Sequence, residues 1–175
     1  MSEMTESGPA GMQPGIDPNT MSIIVTKGTL DWAYPPFILG TTAAAMGLEV
    51  TMFFTFYGLS LLKKDLNLKV TPLGNAAMEM PMAGGHMVMP NIVGMLPGVD
   101  AMASKMMKNL IKKNGVASVE ELRELAVEAD VRMIACQMTL ELFDYKREDL
   151  IDGIEIGGAA TYIECATKSH INLFI

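Results

Sequence analysis

Two short runs of strand-type residues, SIIVT at Ser22–Thr26 and VTMFFTF at Val50–Phe56, flank a stretch that reads as helix from Leu30 to Met46. Strands this short, apolar and uncharged belong in a sheet covered on both faces. A strand, a helix and a second strand within 35 residues mark a crossover, which joins parallel strands. The flanking chemistry agrees. Lys27–Gly28 ends the first run, Thr29 stands where it can cap the helix, and Asp31 lies in the helix's positive first turn. Gly47 fits the position just past the helix end. Pro35 and Pro36 predict a bend within it.

The same alternation continues along the chain. Tyr57–Lys64 reads as a short helix. Asp100–Asn114 is amphipathic: Met102, Met106, Met107, Leu110 and Ile111 lie on one face, and Lys105, Lys108, Lys112 and Lys113 on the other. This lysine face reads as solvated. Ser118 and Glu121 form a capping-box pair at the start of the next helix. Val131–Ala135 is a strand, Gln137–Phe143 a short helix, and Arg147–Leu150 a polar connection. Ile154–Ile156, Gly157–Lys168 and Ile171–Ile175 complete the pattern as strand, helix and strand, with His170 just before the last. The expected fold is a single α/β domain with a mainly parallel sheet of about five strands flanked by helices, Rossmann-like in form. Its 175 residues suit one domain.

Two segments stand outside this rhythm. Residues 1–20 are rich in Gly, Pro and Ser and read as a disordered tail, with the fold starting near Met21. Their acidic start lacks the basic and apolar pattern of a secretory leader. Residues 67–99, rich in Met, Pro and Gly, read as an insertion or long loop of the 21–175 domain.

Charge and hydropathy exclude some functions. The net charge of −7 opposes nucleic-acid binding, which needs clustered cations. Three uncharged stretches, Trp32–Leu48, Val50–Leu62 and Met80–Val99, raise the question of a membrane span. Prolines and glycines interrupt the first and third, the second is shorter than a span, and a buried α/β core produces such runs equally well. A soluble, cytoplasmic chain is the expectation. Cys136 and Cys165 are too few for a disulfide framework and lack zinc spacing, which fits a reducing compartment.

The segment VRMIACQMTLELF delivers Cys136 to the point where a buried strand turns into a helix. Open parallel sheets bind ligands beyond the carboxyl ends of their strands, and a helix start favours a thiolate over a thiol. A buried cysteine packing as a small hydrophobe remains the plain alternative. No nearby His or Asp completes a triad, so thiol chemistry without a general base is indicated.

The chain resembles the DsrE/DsrF-like family, sometimes labelled peroxiredoxin-like. The similarity rests on IIVTKGTLDWAYPPFILGTTAAAMGLEVTMFFTFYGLSLLKK, on MPNIVGMLPGVDAMASKMMKNLIKKNGV, on VEELRELAVEADVRMIACQMTLELF and on IEIGGAATYIECATKSHINLFI. It spans about Met21 to Ile175 and is most specific around Cys136. The resemblance implies a five-stranded parallel subunit that forms homo-oligomers. It also implies sulfur transfer, with Cys136 accepting a persulfide or thiosulfonate group and passing it to a partner thiol. The implied partners are a TusA-like carrier and a rhodanese-like protein. Whether such a chain acts as a transferase or as a carrier stays open.

Further residues are candidates for accessory roles. Cys165 departs from the family pattern and reads either as a resolving thiol or as a small core residue. Lys27 could face Cys136 if its strand neighbours the Val131 strand; otherwise it is a solvated lysine. Met80, Met82, His86, Met87 and Met89 offer soft ligands for Cu(I), yet methionine also fills irregular apolar surfaces. A flap or an oligomer contact is the reading adopted, with no resident metal or cofactor. The rival functions are a peroxide-reducing thiol protein, a Met-rich copper-binding module, and a structural or membrane-associated subunit.

Overall fold

The computed structural model describes residues 16–71, 79–82, 85–88 and 90–175. Five parallel strands form the main sheet: β1 (Asp17–Val25), β2 (Glu49–Phe54), β5 (Arg132–Cys136), β6 (Glu155–Gly157) and β7 (Ser169–Phe174). Their order across the sheet is β6-β5-β2-β1-β7. The chain therefore builds outward from β1 to β6, then crosses back to lay β7 against the free side of β1. β3 (Glu79–Met82) and β4 (Gly85–Val88) form a separate antiparallel pair. The helices are α1 (Leu30–Ala45), α2 (Asn91–Gly94), α3 (Val99–Lys113), α4 (Val119–Glu128), α5 (Gln137–Leu142) and α6 (Ala159–Ala166). Single 3-10 helices cover Phe56–Leu62 and Arg147–Asp149.

Alternating residues send the strands' side chains to two unlike faces. Met21, Ile23, Val25, Met52, Phe54, Met133 and Ala135 point into the larger core, which contains Ala33 and Phe37 of α1 and Leu122 and Ala126 of α4. Phe37 and Phe54 meet there, with ring centroids 5.9 Å apart. The opposite face is covered by α6 and holds a smaller cluster of Phe53, Ile134, Cys136 and Tyr162. Polar groups are buried here as well, and they are paired. Ser22 Oγ lies 3.0 Å from the Tyr162 hydroxyl and donates to Asn172 Oδ1, satisfying groups that would otherwise oppose burial.

Several sequence expectations are met in detail. Gly47 and Gly115 follow α1 and α3 with φ of +88° and +67°. Ser118 Oγ accepts from the Glu121 amide at 3.1 Å, and Glu121 Oε2 accepts from the Ser118 amide at 2.7 Å, closing the capping box of α4. Replacing Ser118 with alanine should cost about 1 kcal/mol, lowering the melting temperature by about 2–4 °C in a domain of this size.

Others are corrected. β1 begins at Asp17 rather than near Met21, so residues 17–20 belong to the sheet and not to a tail. Asp17 pairs with Ser169 across an irregularity in register. The pattern was invisible in sequence because Asp17, Pro18 and Asn19 are exposed, so no apolar alternation marks them. Residues 1–15 lie outside the described residues. The 67–99 insertion is not a single loop. Leu68 and Val70 are buried in the main core, Lys69 O accepts from the Leu30 amide at 2.9 Å, and β3, β4 and α2 follow. The stretch predicted as helix over Tyr57–Lys64 is the 3-10 turn. Thr29 occupies the N-cap position of α1, yet its side chain makes no capping bond.

Candidate functional site

Cys136 is the last residue of β5 and the N-cap of α5. The change from strand to helix at this residue follows from its surroundings. Met133, Ile134 and Ala135 are all buried, as a strand covered on both faces requires, whereas Gln137–Leu142 alternates exposed and buried positions at helical spacing.

The thiol is 4% exposed. Burial alone would push its pKa up. The Thr139 hydroxyl and amide, the Thr55 hydroxyl and the Met138 amide act in the other direction, and the net pKa lies below the ordinary cysteine value. The Cys136 side chain makes no close capping bond, so these groups act on the sulfur as oriented dipoles that favour the thiolate. None of the groups shifting its pKa is a cation.

Thr139 organises this surround. It is fully buried, and its Oγ1 lies 3.2 Å from Thr55 Oγ1 and accepts from the Phe56 amide at 3.2 Å. Phe56 itself holds φ of +47°, a left-handed conformation that costs a non-glycine residue on the order of 1 kcal/mol or more. The turn is held by the Gly58 amide, which donates to Thr26 O and Thr55 O, each at 3.0 Å. This strained residue is braced on the same threonine that acts on the Cys136 sulfur, and such backbone costs cluster at functional sites. Phe56, just past β2, and Met138 and Leu142 of α5, the segments that carry Thr55 and Thr139, are each more than 40% exposed.

The accessory candidates lie elsewhere. β2 stands between β1 and β5, so the condition placed on Lys27 is not met. Its ammonium sits 3.1 Å from the centre of the Trp32 ring instead. Cys165 lies on α6 at the other end of the sheet, where its sulfur accepts from Arg132 Nη1 at 2.8 Å. Arg132 also forks onto Glu155 through Nε and Nη2, at 2.8 and 2.9 Å. Arg132 and Cys136 are the two ends of β5, about 13 Å apart at strand rise. A disulfide needs Cα atoms within about 7 Å, so within one subunit Cys165 is not placed to resolve Cys136. Of the methionine set, Met80 pairs with Met87 and Pro81 with His86 across β3 and β4. Met89 lies outside the described residues. Among the described residues no cluster of three His, Cys, Asp or Glu side chains forms a metal site, and no helix is long and apolar enough to cross a membrane.

Thr55 and Thr139 were not singled out from the sequence. They are 84 positions apart, and a threonine in an apolar strand or a short helix carries no mark of chemistry until the two segments meet.

Residues 17–174 match the DsrE/DsrF/DrsH-like family. The chain belongs to that family. The sulfur carrier protein DsrE2 of Allochromatium vinosum is 59% identical over 155 residues, covering 89% of this chain and 97% of its own length. YrkE of Bacillus subtilis is 33% identical over 162 residues, covering 88% and 95%. Among solved structures, the ychN protein of Escherichia coli aligns with a TM-score of 0.49 at 11% identity, over 89% of this chain and 99% of its own.

Proposed function

We propose that this chain relays sulfane sulfur through Cys136. The observation that carries the reading is a buried thiol whose pKa is lowered by neutral hydroxyl and amide dipoles at the carboxyl end of β5. The 59% identical relative is by name a sulfur carrier protein, which supports it.

The chemistry divides into two exchanges. In loading, the Cys136 thiolate attacks the outer sulfur of a donor persulfide. The donor's S–S bond breaks, its thiolate leaves, and Cys136 becomes a persulfide. In unloading, a partner thiolate attacks that outer sulfur and the Cys136 thiolate leaves. Electrons balance in each exchange, and no redox cofactor is needed. A low pKa serves both halves, because it supplies the nucleophile near neutral pH and makes a better leaving group. Burial among Phe53, Ile134 and Tyr162 shields a labile persulfide from stray thiols. Loading and unloading therefore each begin with local opening of this cover.

Exposed Phe56, Met138 and Leu142, on the segments that follow β2 and β5, are suited to docking partner proteins, for which a TusA-like carrier and a rhodanese-like donor are proposed. Exposed Ile163, Ile171 and Phe174, on α6 and the edge strand β7, support assembly into a homo-oligomer. A peroxidatic role is less well supported, since no cation contributes to the state of the thiol.

The test is to incubate the chain with tetrathionate, polysulfide or hydrogen peroxide and to locate the added mass by peptide mass spectrometry. Sulfur adducts should form on Cys136 with the first two reagents and be absent from that position in Cys136→Ser. Sulfenic acid with catalytic peroxide turnover, and no sulfur adduct, would overturn the reading.

A further inference from the structure

Beyond the carboxyl end of β1 the surface sinks into a hollow of about 820 Å3. Ligands of open parallel sheets collect at this edge. Gly28 forms part of the rim, where a side chain would collide with Ser60 Oγ and Tyr57 O, so the backbone approaches closely. Trp32, Tyr57, Phe143 and Tyr145 supply aromatic surface. Tyr57 stacks on Phe143 at 5.8 Å, and Phe143 meets Tyr145 at 5.8 Å.

Two polar atoms in this aromatic setting lack partners, and a third group beside them carries positive charge. Thr29 Oγ1 and Asp31 Oδ1, on residues that line the hollow, are sealed from solvent and have no hydrogen-bond partner. Buried polar atoms are rarely left so, and each such exception calls for a ligand, a water or a cost. Asp31 can only accept, so what meets it must donate. Lys27 also lines the hollow, with its ammonium over the Trp32 ring, and can only donate, so it calls for an anion. A simple anion would be repelled by Asp31 and a simple cation by Lys27. An uncharged apolar compound would leave both wanting.

We propose that this hollow binds a small zwitterion, an amino acid or short peptide with a free ammonium and a free carboxylate. The ammonium goes to the Asp31 carboxylate and the Thr29 hydroxyl, whose sealed oxygens turn into the hollow to meet it, the carboxylate to Lys27, and the apolar body between the rings. The site is separate from Cys136, which is not among its lining residues, and it does not depend on the sulfur chemistry.

Isothermal titration calorimetry on the full chain tests this, with L-leucine and glycyl-leucyl-glycine as probes beside their N-acetyl and C-terminal amide derivatives. At least one unmodified probe should bind saturably, and which of the two binds better reports how far apart the charges must stand. Affinity should fall about tenfold or more on N-acetylation, on amidation, in Asp31→Asn and in Lys27→Gln, each of which removes a charge-assisted bond. Should Asp31→Asn fail to fold by circular dichroism, Lys27→Gln carries the test, because Lys27 is exposed; amidation should then cost that variant little further affinity. No binding of either probe at millimolar concentration would overturn the proposal. So would affinity indifferent to N-acetylation or to Lys27→Gln.

Discussion

Thr139→Val should slow alkylation of Cys136 at neutral pH and quicken it at high pH. The Thr139 hydroxyl stands first among the groups that lower the thiol pKa. Its O–H dipole favours the thiolate, so its loss leaves less thiolate at neutral pH. Nucleophilicity rises as the thiolate becomes more basic, with a slope of about 0.4–0.5, and this recovers about half of the loss on a logarithmic scale. The net expectation is a lower rate at neutral pH, a midpoint moved upward, and a higher plateau at alkaline pH. Iodoacetamide labelling across pH, followed by mass spectrometry, measures all three. Thr139→Ser keeps the hydroxyl and should stay near the parent curve. An unchanged midpoint in Thr139→Val would mean that the hydroxyl does not set the state of the sulfur. The same linkage reaches stability. The folded thiol titrates below the unfolded value of about 8.5. Its stabilising contribution is therefore present above that pH and is lost as pH falls through the folded pKa.

Gly58→Ala should be the most destabilising single-methyl change in the sheet region. A Cβ at Gly58 would collide with the Val25 carbonyl oxygen and carbon and crowd the Thr26 amide. These are backbone atoms at the end of β1 and just past it, held in place by the pairing of Val25 with Phe54 and by the Thr26 amide, which donates to Ile175 O, so no flexible side chain can yield. Overpacking typically costs about 1–3 kcal/mol, and occasionally more; rigid neighbours put this position at the upper end. At about 2–4 °C per kcal/mol, the melting temperature should drop by about 6–12 °C. The Gly58 amide also braces the Phe56 turn, so the variant should lose part of the low thiol pKa even where it folds. A thermal melt within 2 °C of the parent, taken as about the shift for under 1 kcal/mol, would contradict the close approach.

The distribution of these effects explains what could be read from the amino acids. Val131–Ala135 reads as a strand because apolar residues broken only by Arg132 near its start suit a sheet covered on both faces, and Cys136 follows it as a matter of order along the chain. The α4 capping box was legible for the same reason: Ser118 and Glu121 are three residues apart, and the bond between them is local. Asp17–Thr20 was not legible, because its strand geometry depends on Ser169, some 150 residues away.

Outside residues 67–99, local spacing thus determined the order of strands and helices from Met21 onward, the parallel character of the sheet and the place of Cys136 at a strand's carboxyl end. Hydrophobic period and capping act over a few residues and need no knowledge of the rest. Only the tertiary structure decided that β2 separates Lys27 from Cys136, that Cys165 sits at the far end of the sheet, and that Thr55 and Thr139 meet beside the thiol. Those relations depend on strand order and on contacts between distant segments. They arise when packing closes long loops, and nothing in a neighbouring residue encodes them.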